Sequence, residues 1–243
     1  MSAAQPSAPS PAARAAATAT TGSAAHALAA ALTGLATAYV AGAELVPTYA
    51  LASLVFAISA FTGCDRLARH LAARRRSLAG RAFFSLVMPV AFLILIALGT
   101  DAVQRGTTAW LPVIAALPAA TLFACLALAL DFALHDETPS ERSIASQLQR
   151  SQLKLWFAAC IFPGLIWLVL QVGMDRLPQA AAAAVLCLFA LLKAARTLHE
   201  YANDEDDESS DLLPVVQLAA LAGPACGFIV AAALVFDPRW PLT

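Results

Sequence analysis

Residues 82–99 read AFFSLVMPVAFLILIALG, eighteen positions without a charge. A helix needs roughly 20 apolar residues to cross a hydrocarbon core about 30 Å thick, and this run meets that need almost alone. Six further apolar runs lie at about 25–43, 46–63, 109–132, 155–174, 179–198 and 212–236. A membrane β-barrel would need segments of roughly ten residues alternating apolar and polar. Residues 82–99 have almost nothing polar to alternate, so the barrel is rejected. Composition agrees: 60% of the 243 residues are hydrophobic and 13% charged, against about a quarter charged in a soluble domain. Mean hydropathy is +0.72. The expected fold is all-α, a polytopic transmembrane bundle of about seven helices. Six are possible if the first two runs, separated only around Glu44 and Pro47, form one broken segment.

Charge between the runs gives an orientation. Arg66, Arg69, Arg74, Arg75, Arg76 and Arg81 separate runs two and three. Arg142, Arg150 and Lys154 separate runs four and five, and Lys193 and Arg196 close run six. The alternate loops hold only Arg105, Arg176 and Arg239. Cytoplasmic loops carry the basic excess, so the N-terminus is expected inside and the C-terminus outside, in the inner (plasma) membrane of a bacterial cell.

Residues 1–24 are rich in Ala, Ser, Pro and Thr, with too little apolar bulk to offset the entropy of ordering. They are expected to be a disordered tail. Residues 25–236 then form one transmembrane domain, and 237–243 a short C-terminal tail. Ala41-Gly42-Ala43 resembles a signal-peptide cleavage site, but the run before it is read as a retained helix. The five cysteines are scattered through apolar runs without a CxxC pair, which suits packing rather than a disulfide framework or a zinc site.

Three charged segments have readable chemistry. Residues 64–81 carry no helix breaker before Gly80, so run two is expected to continue as a helix. Its arginines would meet anionic lipid headgroups, each contact worth about 1 kcal/mol. Thr138-Pro139-Ser140-Glu141 has the spacing of a capping box, and predicts a helix from about 139 through residue 154 into run five. Glu200, Asp204, Glu205, Asp206, Asp207, Glu208 and Asp211 crowd a short stretch after run six. That acidic block is readable as a solvated loop, as a partner for the arginine segment, or as a divalent-cation site. The last lacks EF-hand spacing.

Ionisable groups within a bilayer are functional candidates. Asp131 and Lys193 lie near the inner ends of runs four and six, where they could pair or snorkel separately. Glu44 sits at the outer break as a substrate contact or a helix-end residue. Pro163 and Pro224 interrupt runs five and seven, and proline frees a backbone carbonyl that a substrate could use; a plain kink is the alternative reading. Gly34, Ala38 and Gly42 recur at every fourth position, as do Gly223 and Gly227, a spacing that lets helices pack closely. Those stripes could join helices within one chain or between copies, or hold a partner protein.

No G-x-S-x-G, H-E-x-x-H or phosphate-loop signature occurs, and no pair of mid-membrane histidines for haem. An enzyme is therefore disfavoured and no cofactor is expected. The net charge of −1 argues against nucleic acid. Two classes remain. One is a small transporter, channel or permease subunit, with a path near Glu44, Asp131, Lys193, Pro163 and Pro224. The other is a non-transporting membrane subunit that assembles with partners.

Overall fold

The computed structural model describes residues 10–137, 143–148, 150–203 and 212–237. Seven helices are long and apolar enough to cross a membrane, and there is no strand among the described residues. They are α1 (Pro11–Val40), α2 (Pro47–Ala73), α3 (Leu78–Arg105), α4 (Leu111–Glu137), α5 (Arg150–Gly173), a sixth span over Gln179–Tyr201 that contains most of α6 (Cys187–Asn203), and α7 (Leu213–Phe236). A 3₁₀ segment, Gln179–Leu186, leads into α6. A five-residue π-helical turn, Phe83–Val87, sits within α3.

The centre is a triangle of α1, α4 and α7. Helices α2 and α3 pack on its α1 side, α5 packs on α4, and α6 packs on α7. The exterior is apolar: Val55, Phe56, Leu95, Ile166, Phe189 and Leu221 are all exposed. A soluble monomer rarely shows so broad an apolar surface, which would carry a large hydration cost in water.

α1 is central because it is thin. Its side chains are mostly Ala, Gly, Thr and Ser, so neighbouring backbones can close on it. A Cβ on Gly34 would lie 2.3 Å from the Ala97 carbonyl oxygen of α3, and one on Gly227 would lie 2.9 Å from Ala29 Cβ. Ala38 is fully buried. Gly42 has a different role from the packing expected of it. It lies past the helix at φ 82° with nothing nearby. Its N–H donates to Tyr39 and that of Ala43 to Ala38, the paired bonds of a Schellman stop, which favours glycine at this left-handed position.

Three expectations about segments differ from the structure. The helix starts at Pro11, not near residue 25: Ser10 Oγ accepts from Ala13 N–H at 3.2 Å, and Pro11 fits the first turn. Ala15, Ala19, Gly22 and Ser23 are buried there, so close packing of small side chains supplies what bulk does not. Second, the arginine segment is not one helix. α2 stops at Ala73, and Ser77 Oγ caps the next helix by accepting from Gly80 N–H at 3.2 Å. Third, residues 143–148 are not helical but form bends around a 3₁₀ turn, Ala145–Gln147. The Thr138 capping box and the acidic run 204–211 lie outside the described residues.

Side-chain bonds explain that third difference. The buried Arg81 donates from Nε to the Arg75 carbonyl at 2.8 Å, and from Nη1 to the Ser143 carbonyl at 2.7 Å and Ser146 Oγ at 3.1 Å. Gln147 donates to the Arg76 carbonyl at 2.9 Å. Asp131 Oδ2 accepts the Ala145 N–H at 2.9 Å. These bonds use the backbone groups a helix would need, and charge-assisted ones are worth about twice a neutral bond.

Candidate functional site

Four buried positions of α1 are polar: Ser23, His26, Thr33 and Thr37. At 3.6 residues per turn they fall within an arc of roughly 80°, so they form one stripe down the helix. Thr33 satisfies itself, donating to the Ala29 carbonyl at 2.9 Å. The ends of the stripe reach other helices.

At the arginine-rich end, Ser23 Oγ donates to Asp65 Oδ2 of α2 at 3.4 Å. Arg69, one turn further along α2, pairs with the same oxygen. At the opposite end, Thr37 Oγ1 lies 3.0 Å from Asp101 Oδ1 of α3 and 2.8 Å from the Gly34 carbonyl. Asp101 is wholly buried, and Arg105 Nη1 approaches its Oδ2 at 3.5 Å. That oxygen has the charge contact but no hydrogen bond. Each end is thus an α1 hydroxyl on an Asp-x-x-x-Arg pair. The i,i+4 spacing puts the arginine beside its carboxylate, which offsets part of the cost of burying the carboxylate.

Between the ends sits His26, 2% exposed and near the midpoint of α1. Its Nδ1 lies 2.8 Å from the Gly22 carbonyl. A carbonyl can only accept, so Nδ1 carries the hydrogen and Nε2 presents a lone pair. Nε2 has no hydrogen-bond partner. The ring stands edge-on to Phe123 of α4, with centroids 5.1 Å apart, and lies flush on Gly223 of α7. A Cβ there would fall 2.0 Å from Nε2. Gly223 therefore serves ring contact, whereas Gly227 serves helix contact.

A cavity of about 50 Å³ opens beside the arginine-rich end of the stripe. Ser23, Asp65, Arg69, Ser85, Phe123 and Asp131 are among its lining residues. Ser85 belongs to the π-helical turn of α3, and such turns recur at functional sites because they re-aim a side chain. Two acids, a guanidinium and two hydroxyls thus face a space able to hold water, with Phe123 between it and His26.

Helix-breaking prolines have two outcomes. Proline cannot bond the carbonyl four residues before it. Pro118 of α4 leaves the Ile114 carbonyl free, and Trp167 Nε1 of α5 donates to it at 3.2 Å. Pro224 of α7 takes away the N–H that would bond the Ala220 carbonyl, one turn from His26's contact at Gly223. No side-chain donor serves Ala220 among the described residues.

Of the residues singled out from sequence, Asp131, Gly223 and Pro224 belong here. Glu44 is exposed in the α1–α2 loop, and Pro163 is exposed on α5. Lys193 is exposed on α6 and forms no ion pair with Asp131, whose Oδ2 is taken by Ala145 instead. The residues that sequence reasoning passed over are Ser23, His26, Asp65, Arg81 and Asp101. Starting α1 at residue 25 left Ser23 in a tail and His26 at a helix edge. Asp65 and Asp101 sat just past the ends of apolar runs. Their i,i+4 arginines were the available signal.

No protein-family model, curated protein or solved structure matches the chain.

Proposed function

We propose that the chain is a multi-pass membrane protein that moves a small polar species or ion along the buried polar face of α1. The observation that carries this reading is the stripe itself. Ser23, His26, Thr33 and Thr37 run down the central helix, with a buried aspartate paired to a more exposed arginine at each end. Polar groups so deep in an apolar bundle are costly, and in bilayers they mark pathways more often than scaffolding. The basic excess puts the Asp65 end in the cytoplasm. There the exposed Arg66, Arg74, Arg75 and Arg76 suit anionic headgroups.

A second reading, a subunit that holds a partner, draws on two apolar clefts. One of about 480 Å³ lies between α1 and α7, and one of about 290 Å³ between α2 and α3.

Thiol accessibility tests the path without knowledge of the solute. In a cysteine-free background, Ser23→Cys and Thr37→Cys are placed in sealed vesicles with a charged, membrane-impermeant thiol reagent. Transport predicts modification of Ser23→Cys from the cytoplasmic side and of Thr37→Cys from the other. A bundle that never opens leaves both unmodified, which would sink the transport reading in favour of the subunit.

A further inference from the structure

We propose that His26 is a proton-binding site at the centre of the bundle, loaded from the Asp65–Asp131 cavity past Phe123. It rests on the transport reading of the same stripe and names the species: a proton, carried or coupled.

Geometry supplies each part. The acceptor is a bare Nε2 lone pair, fixed by the Nδ1–H bond to Gly22. A buried nitrogen without a partner gives up a hydrogen bond, a cost that packing alone does not require. The donor side is the cavity, where Asp65, Asp131 and any water they hold can pass a proton on. Phe123 touches both, lining the cavity and standing edge-on to the imidazole. Phe61 in turn stands edge-on to Phe123, with centroids 5.0 Å apart. Rotation of one phenyl ring is the gate. On transfer, a carboxylic acid of the cavity returns to carboxylate and Nε2 gains N–H, giving imidazolium. That new donor lies against Gly223, one turn from the Ala220 carbonyl, which has no N–H at Pro224 to bond it. α7 thus offers an acceptor to the protonated ring, and bending at Pro224 would bring it nearer.

The charged and titratable groups around His26 permit this. α2 contributes Asp65, which bonds Ser23, and Arg69, which pairs with Asp65. α4 contributes Asp131 through the cavity and the buried thiol of Cys125; α7 contributes the buried thiol of Cys226. α3 contributes Asp101, which bonds Thr37 at the far end of the stripe, and Arg105, which approaches Asp101. Among the described residues, no charged side chain pairs with the ring.

The test uses the unmodified full chain in lipid nanodiscs. Only His26 of the four histidines follows an alanine, Ala25, so carbonyl-¹³C alanine with ¹⁵N histidine labels its amide uniquely and leads to its ring. The expected result is an Nδ1–H tautomer at about pH 8 that converts to imidazolium as the pH is lowered while the fold persists. A ring that stays neutral down to the pH at which circular dichroism shows unfolding overturns the proposal. Proteoliposomes loaded with a pH-sensitive dye then read proton entry under a potassium diffusion potential. His26→Gln is expected to slow entry roughly tenfold or more, as loss of an intramembrane relay should, and Phe123→Ala to speed it. Entry that is equal with and without His26 overturns the proposal while leaving transport of another species standing. If the thiols at 23 and 37 stay closed and wild-type vesicles admit no protons, the transport reading fails; the nuclear magnetic resonance titration still decides whether His26 binds a proton.

Discussion

Two proline breaks near the middle of the bundle end differently, and the contrast locates the mobile part of the molecule. In α4, Pro118 frees the Ile114 carbonyl, and the Trp167 indole of α5 takes it up at 3.2 Å. Gly164 locks the same contact, since a Cβ there would lie 2.0 Å from Thr121 Oγ1. That break is sealed by a neighbour. In α7, Pro224 frees the Ala220 carbonyl beside a histidine that has an unused nitrogen. An imidazole nitrogen without a partner and a carbonyl that has lost its i+4 donor stand within a turn of each other, and no side chain among the described residues bonds either. An unmade bond in an apolar interior costs about 1–3 kcal/mol, so the second break holds a reserve that a small movement can release. The first holds none. Kinks with satisfied backbones act as fixed shape; kinks with open ones act as hinges.

Adding a methyl at the open break tests the contrast most severely. Gly223→Ala would set a Cβ 2.0 Å from His26 Nε2, and the ring is held between Phe123 and its bond to Gly22. Overpacking of this kind costs about 3 kcal/mol, read as a lower midpoint in denaturant titration of the protein in micelles. His26→Ala in the same chain should recover most of that loss, because it empties the contested space. A Gly223→Ala variant as stable as the parent would mean that the ring is not fixed against α7, and the comparison would lose its open side.

The sealed side is tested by Trp167→Phe. The aromatic volume is largely kept and the indole N–H is lost, leaving the Ile114 carbonyl without its donor. The expected loss is about 1–2 kcal/mol. Trp110→Phe is the control, since Trp110 is 78% exposed and should change stability by no more than about 0.5 kcal/mol. Equal effects at the two tryptophans would show that the Trp167 bond contributes nothing, and the two breaks would then be alike.

What the sequence displayed follows from the same physics. Seven spans were legible because runs such as 82–99 leave no other use for their residues. The start of α1 was not, because hydropathy rewards bulk, while Ala15, Ala19 and Gly22 are buried by lack of it. The loop at 143–148 misled for a local reason. Its helix-forming residues were visible, but Asp131 and Arg81, which take its backbone, come from distant parts of the chain. Pro224 was visible as a break, and Pro118 stands in the run at 109–132. That one is sealed and the other open depends on Trp167 and His26, each supplied by another helix. Pairing between helices leaves no periodic trace in one sequence. Asp65 and Asp101 came closest to being readable, since each precedes an arginine by four residues and that spacing is local.

The smallest effect gives the finest separation of the two breaks. Replacing either proline with alanine restores a backbone N–H opposite the freed carbonyl. At Pro224 the returned N–H finds Ala220 without a side-chain donor, so Pro224→Ala should gain about 1 kcal/mol, the net worth of one hydrogen bond. At Pro118 the Ile114 carbonyl already accepts from Trp167. A second donor to an occupied carbonyl adds little, and straightening α4 would strain the Gly164–Thr121 contact. Pro118→Ala should therefore change stability by roughly 0 to 0.5 kcal/mol in either direction. Amide exchange gives a second reading of the same difference: Pro224→Ala should slow exchange around residues 220–228, whereas Pro118→Ala should leave 114–122 as it was. Equal gains at both sites would erase the distinction between a sealed kink and an open one. A gain confined to Pro224 would mark α7 as the helix whose bend is held in place by nothing but its own backbone.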